Sequence, residues 1–376
     1  MSSIYKRIPE NRIIRTQNLV NESIPITGSI ISGTYNNENI KYFSHRMFVS
    51  AYDYPYLSSS SNKLLDCTIG YSPSSPYSSS NNTDNDKKIM VYQEMAKVLM
   101  GTDITGTILR FDEDGNILGG GTKLHECIFL NFTRLLYKDE IKRGTFSMIA
   151  YTSGTFVAPY APATFSDMQA TSTYFTNAAA GDWSYITMTA SAAHKVGVIF
   201  YQAGVVVLTA SLFAGASGFF TGSTPTMDAA LSATNIPSMC DGVFRRIKTL
   251  SFLNTVKINS TIVFCDIGPD EFNYSSNPTF LSSSKIRVKS VNDDPCVTYP
   301  CGVILYAADN EPMGVGKLSE PLRKGTDQSF TIKARIDWWF FLMKQASYRS
   351  ICIFSKKLNF NLDFNCANNY SVFYRG

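Results

Sequence analysis

Residues 196–220, VGVIFYQAGVVVLTASLFAGASGFF, are 25 consecutive positions without a formal charge in an otherwise polar chain. A run of that length meets the requirement of roughly 20 apolar residues for a bilayer-spanning helix. Three readings therefore compete: a membrane span, a buried helix and a buried β-hairpin. The residue types favour the hairpin. Val196, Val198, Ile199, Val205, Val206 and Val207 are β-branched, and branching at Cβ suits a pleated strand better than a helix. Gly204, two positions after Gln202, offers the backbone freedom of a tight turn. The expectation is a strand over 196–201, a turn at 202–204 and a second strand over 205–211. Strands apolar at every position, not only at alternate ones, need cover on both faces.

The composition can supply that cover. In 376 residues, 17% are charged and 13% aromatic, with 21 Tyr and 25 Phe, a β-sheet composition in a chain long enough for two or three domains. The formal net charge of +4 comes from scattered Lys and Arg residues, so nucleic acid is not an expected partner. The eight cysteines are spread out apart from Cys296-x4-Cys301. They match no zinc spacing and read as free thiols packed as small hydrophobes in a reducing compartment, with disulfides the alternative. The first 41 residues hold no continuous apolar stretch of the kind a secretory signal carries.

Taken in order, residues 1–45 carry Ile4, Ile8, Ile13, Ile14 and Ile24 among polar residues and Gly/Asn turns. They read as an extended N-terminal arm that wraps a neighbour or trails as a tail. RMFVSAYDYPY (46–56) and KLLDCTIGY (63–71) read as strands, and the serine-rich stretch 72–85 as a loop. A helix follows, capped by Asp84 or Asn85, with Ile89, Tyr92, Met95, Ala96 and Leu99 at helical spacing and Gly101 at its end. Its apolar face should cover a sheet. FDEDGNILGGG (111–121) superficially resembles a calcium loop. Such a loop needs Gly at its sixth position and a carboxylate at its twelfth, whereas counting from Asp112 puts Gly115 fourth and Lys123 twelfth. A hairpin turn on Asp114, Gly115 and Asn116 fits better. A strand is expected over 124–136 and a helical turn over 138–143. Residues 150–195 and 215–235, rich in Ala, Ser, Thr and Gly, suit loops or short strands, and 238–247 a short helix. From residue 250, strands recur every eight to twelve residues as in a β-sandwich, with a hairpin turn at Asp309-Asn310.

No catalytic constellation is legible. His45, His125 and His194 stand far apart, and the carboxylates at 112–114 sit on an expected turn. Gly119–Gly121 lacks the Lys-Ser/Thr of a phosphate-binding loop, and neither G-x-S-x-G nor a Walker motif occurs. Catalytic, cofactor-binding and metal-ligating residues are accordingly expected to be none.

Several blocks do carry a resemblance: EFNYSSNPTF (271–280), SSSKIRVK (282–289), VILYAADNEPMGVGKLSEPLRK (303–324), SAYDYPYLSSSSNKLLDCTIGYS (50–72), YQEMAKVLMG (92–101), RFDEDGNILGGGTK (110–123) and VIFYQAGVVVLTASLFAG (198–215). The chain resembles, over most of residues 50–337, a family of virion structural proteins of contractile-tailed, T4-like bacteriophages of the marine cyanophage type. Members of that family end near the position of Asp337, whereas 39 further residues follow here.

The resemblance implies a non-enzymatic structural subunit, tail- or baseplate-associated, that self-assembles with other phage structural proteins or as a homo-oligomer in the virion after synthesis in the host cytoplasm. A head or neck component and a β-rich adhesin or glycan-binding module are the alternatives. Neither a cofactor nor a membrane is expected. The fold class expected is α+β, mainly β, with a central mixed sheet domain under one covering helix and a C-terminal antiparallel β-sandwich. The expected divisions are the arm (1–45), the α+β domain (46–245, with a loop-rich insertion at 150–235 and the buried hairpin at 196–211), the sandwich (246–337) and an unplaced C-terminal extension (338–376).

Overall fold

The uncharged run folds as a hairpin. In the computed structural model, Ser191–Phe200 pairs antiparallel with Val205–Thr209, with Phe200 opposite Val205 and Gly197 opposite Leu208. The structure describes residues 5–27, 37–112, 123–151, 162–188, 191–214, 219, 225–274, 281–282, 285–286, 291, 293–306, 312–339 and 359–361. The hairpin turn occupies 201–204, where Gly204 takes φ +66 and a Cβ would lie 2.4 Å from the Tyr137 ring. Only glycine satisfies both demands. Among the described residues no helix is long and apolar enough to cross a membrane.

Side chains of the hairpin alternate between two separate buried clusters. Ile199, Tyr201, Val206 and Leu208 enter one, and Val198, Phe200, Val205 and Val207 the other. Val196 breaks the alternation and joins the first cluster. The ladder to Gly181–Met188 steps from Gly197 to Lys195 there, leaving Val196 as the extra residue of a β-bulge. Period-2 geometry with cover on both faces explains why no position between 196 and 201 or between 204 and 208 is solvent-exposed, with only Gln202 and Ala203 at the turn tip partly open.

The chain divides into two compact units, residues 20–256 and residues 1–19 with 257–376. The division thus falls elsewhere than at 45 and 245, and the first 19 residues group with the C-terminal part. In the larger unit the hairpin is central. Val205–Thr209 pairs with Glu126–Phe132, which leads to Lys63–Tyr71, Val49–Tyr52 and the edge strand Ile40–Tyr42. On the other side Ser191–Phe200 leads to Gly181–Met188, Pro162–Ser166, Ser147–Tyr151 and the first residues of Ile247–Ile267. The region expected as loops or short strands thus contributes strands to the sheet.

One face is covered by the expected helix, Asn85–Leu99, through Val91, Tyr92, Ala96 and Leu99. Ile89 and Met95 flank that face half-buried, and Lys88, which apolar spacing passes over, is fully buried. Asp84 holds the N-cap in the left-handed region, φ 53, without a side-chain capping bond, and Gly101 ends the helix at φ +93. The helix rides close over Gly70, where a Cβ would lie 2.6 Å from the Lys88 carbonyl and 2.8 Å from the Tyr92 nitrogen. The other face packs on Met227–Ala233 and Ile236–Arg246, each capped at its N-terminus by the Thr226 or Asn235 side chain. The helical turn expected at 138–143 lies earlier, at Arg134–Tyr137.

In the smaller unit, residues 258–267 pair one for one with Phe330–Trp339. Gly302–Tyr306 pairs with Pro312–Lys317, consistent with a hairpin whose turn residues lie outside the described set. Val263, Cys265, Ile267 and Ile332 from the first ladder share a core with Val303 and Leu305 from the second. With 45% strand, 19% helix and antiparallel ladders, the α+β, mainly β class holds. Cys67, Cys127, Cys240 and Cys265 are buried free thiols and Cys296 is a half-buried one. Cys301 is disulfide-bonded, contrary to the free-thiol reading at that position.

Val206 is fully buried at the centre of the sheet. Val206→Asp would place a carboxylate among apolar side chains, at a cost on the order of 4 kcal/mol. The variant should move to the insoluble fraction while the unaltered chain stays in solution without detergent and does not float with liposomes.

Candidate functional site

The residues that could signal chemistry do not converge. His45 is exposed and stacks on Phe43 with centroids 5.3 Å apart, and His125 Nδ1 sits 3.1 Å from Ser72 Oγ. The His194 side chain and residues 113–122 lie outside the described set. Asp112 is fully buried, ion-paired with Lys123 and joined to it by an isolated β-bridge, while the turn expected at Asp114, Gly115 and Asn116 lies outside the described residues. No group of three or more His, Cys, Asp or Glu that could hold a metal occurs among the described residues.

What the fold does gather is buried charge on main-chain atoms, which a search for apolar spacing or catalytic motifs passes over. Lys88 Nζ donates to the carbonyls of Leu231 (2.7 Å) and Thr234 (2.8 Å), the last turn and C-cap of the helix Met227–Ala233. Those carbonyls have no partner within their own helix and mark its negative end, so an ammonium there answers both needs. Burial pulls the Lys88 pKa down to about 8. The one sequence signal was its place at i, i+4, i+8 with Tyr92 and Ala96 on the buried face.

Asp167 does the same for a turn. Its carboxylate accepts from the amides of Gly144 (2.8 Å) and Phe146 (2.9 Å) and from the Tyr201 hydroxyl (2.8 Å) at the hairpin turn. Burial raises its pKa, against the pull of those donors. Beside it, Gln202 exchanges bonds with Asp182, which also pairs with Arg143. Arg246, 1% exposed, donates to the Tyr151 carbonyl at 3.3 Å and lies 4.9 Å from the Phe219 ring centroid. Burial lowers its pKa to about 10.

The smaller unit repeats the device. Lys324, fully buried, donates to Pro269 O (2.8 Å), Asn273 Oδ1 (2.9 Å) and Gly325 O (2.7 Å). Its main chain exchanges two bonds with Thr298, whose hydroxyl donates to Phe272 O at 2.7 Å. Phe272 is held at φ 56, a conformation costly for an aromatic residue. The blocks beginning at Glu271 and ending at Lys324, distant in sequence, therefore meet at one ammonium.

A cleft of about 230 Å³ is lined by Lys6, Arg7, Ile8, Pro9, Phe264, Cys265 and Asp266. Two of its charged groups are engaged: Lys6 with the Asp266 carbonyl (2.8 Å) and Glu271, and Asp266 with Arg12 (2.7 Å). Burial pushes the Cys265 thiol up to about 12, which leaves it inert as a nucleophile. No family model, curated protein or solved structure matches the chain.

Lys88 supplies a measurable test of this arrangement. Its folded pKa lies below the ordinary 10.5, so the unfolded chain binds the proton more tightly and stability rises with pH between about 8 and about 10.5. In denaturant unfolding of the unaltered chain and of Lys88→Met, the unaltered chain should gain about 2 kcal/mol relative to the variant between about pH 7.5 and about pH 9.5. A constant difference would show that Lys88 is not held in this buried position.

Proposed function

We propose that this chain is a non-enzymatic structural subunit of a bacteriophage virion, associated with the tail or baseplate, that acts by self-assembly with other phage structural proteins. The observation that carries the reading is the meeting of the two blocks at Lys324. The residues through which the chain resembles the phage family are the ones that clamp a loop: Glu271 takes the Gly268 amide, Asn273 takes the ammonium, and Lys324 closes the cage. Sequence blocks that resemble a family because they build a scaffold fit a protein whose work is its shape.

The other buried charges support the same reading. Lys88, Asp167 and Arg246 each bind main-chain atoms, so their desolvation is spent on holding backbone in place. A catalytic group would instead face a cavity.

Mass spectrometry of gradient-purified phage particles tests the proposal. The chain should be present in stoichiometric amounts and stay with the tails when heads and tails are separated. Retention on the heads would favour the head or neck alternative, and absence from the particles would overturn the reading.

A further inference from the structure

Residues 5–27 belong to their chain's sheets but, among the described side chains, place only Ile8 inside a core cluster. Tyr5–Arg7 pairs with Asn359–Asn361, and Ile13–Thr27 pairs with Ile247–Ile267. Of the described side chains in this segment, Ile8 is buried and Ile13 and Ile24 are partly so, while every residue from 14 to 22 is exposed. The core clusters draw their other buried members from residue 40 onward. What holds the segment is a backbone ladder and a row of polar contacts. Arg12 pairs with Asp266 (2.7 Å), Gln17 donates to Asn259 (3.3 Å), Asn21 accepts from the Thr255 hydroxyl (3.0 Å), and the Glu22 amide donates to Asn254 (3.0 Å).

We propose that residues 5–27 exchange between copies of this chain, the segment of one copy pairing with the strand Ile247–Ile267 of another. The occupant of that strand edge is fixed by the contacts just described, because they match this segment and are remade unchanged when it comes from a second copy. Exchange therefore alters no contact; it trades the tether of one chain for the concentration of copies, and at assembly concentrations the balance moves toward exchange. Among the described side chains the segment gives one buried member, Ile8, to a core, so the other buried members of that core stay in place when it departs. Ile14, Leu19 and Val20, 46%, 58% and 48% exposed, are apolar surface available to the contact between the two exchanged copies. The inference goes beyond the phage reading, since it requires only a second copy and can hold or fail with the purified chain alone.

Cross-linking decides it. Full-length chains carrying Gln17→Cys with one affinity tag are co-expressed with chains carrying Asn259→Cys and a second tag, then treated with a short bismaleimide. The expected product is a covalent heterodimer holding both tags, absent when either new cysteine is left out and increasing with protein concentration. A chain with both substitutions serves as the reference. If it cross-links only within itself, and the separately substituted chains never join even when concentrated, exchange is overturned. If it does not cross-link at all, the segment does not lie on this strand and the proposal falls as well.

Discussion

The constraint on which the larger unit depends is that its central strands have no solvent face. Once Val205–Thr209 and Ser191–Phe200 lie mid-sheet, every second side chain needs an apolar partner above and every other one a partner below. Asn85–Leu99 answers on one side and Met227–Ala233 with Ile236–Arg246 on the other. Covering elements so close to the sheet bring their own unpaired main-chain groups into dry surroundings. Lys88 on a helix end, Asp167 under a turn and Arg246 against a strand carbonyl satisfy those groups. Close helix–sheet approach also explains Gly70, where any side chain would strike helix backbone.

Much of this was legible in the sequence because two signals are local. β-Branched residues around a glycine located the hairpin, and the 3.6-residue spacing of Tyr92, Ala96 and Leu99 located the helix. The bulge at Val196 was not legible, since nothing in VGVIF distinguishes an extra residue from a paired one. The division into units was missed for a related reason. Ile247–Ile267 runs as one uninterrupted strand through the boundary at 256–257, so no change of composition marks it. Residues 5–27 looked like an arm because their apolar residues are sparse, which is equally the pattern of an exposed strand on a sheet edge.

The buried charges were the least legible part. Whether a lysine is solvated or buried on a carbonyl depends on where a segment more than a hundred residues away places its helix end, as Leu231 and Thr234 do for Lys88. The blocks 271–280 and 303–324 stand between these extremes: in the fold they meet at Lys324, beside Phe272 in its left-handed conformation. In both units buried ionisable groups bind backbone: Lys88, Asp167 and Arg246 in the larger and Lys324 in the smaller.

The doubly covered hairpin is tested most directly by native-state amide hydrogen exchange. If it is the centre of the larger unit, the amides of Val206–Leu208 and Val198–Phe200 should exchange only through global unfolding and be among the slowest in residues 20–256. Faster exchange there than in Asn85–Leu99 would mean that the hairpin opens independently of its cover, and would contradict the account.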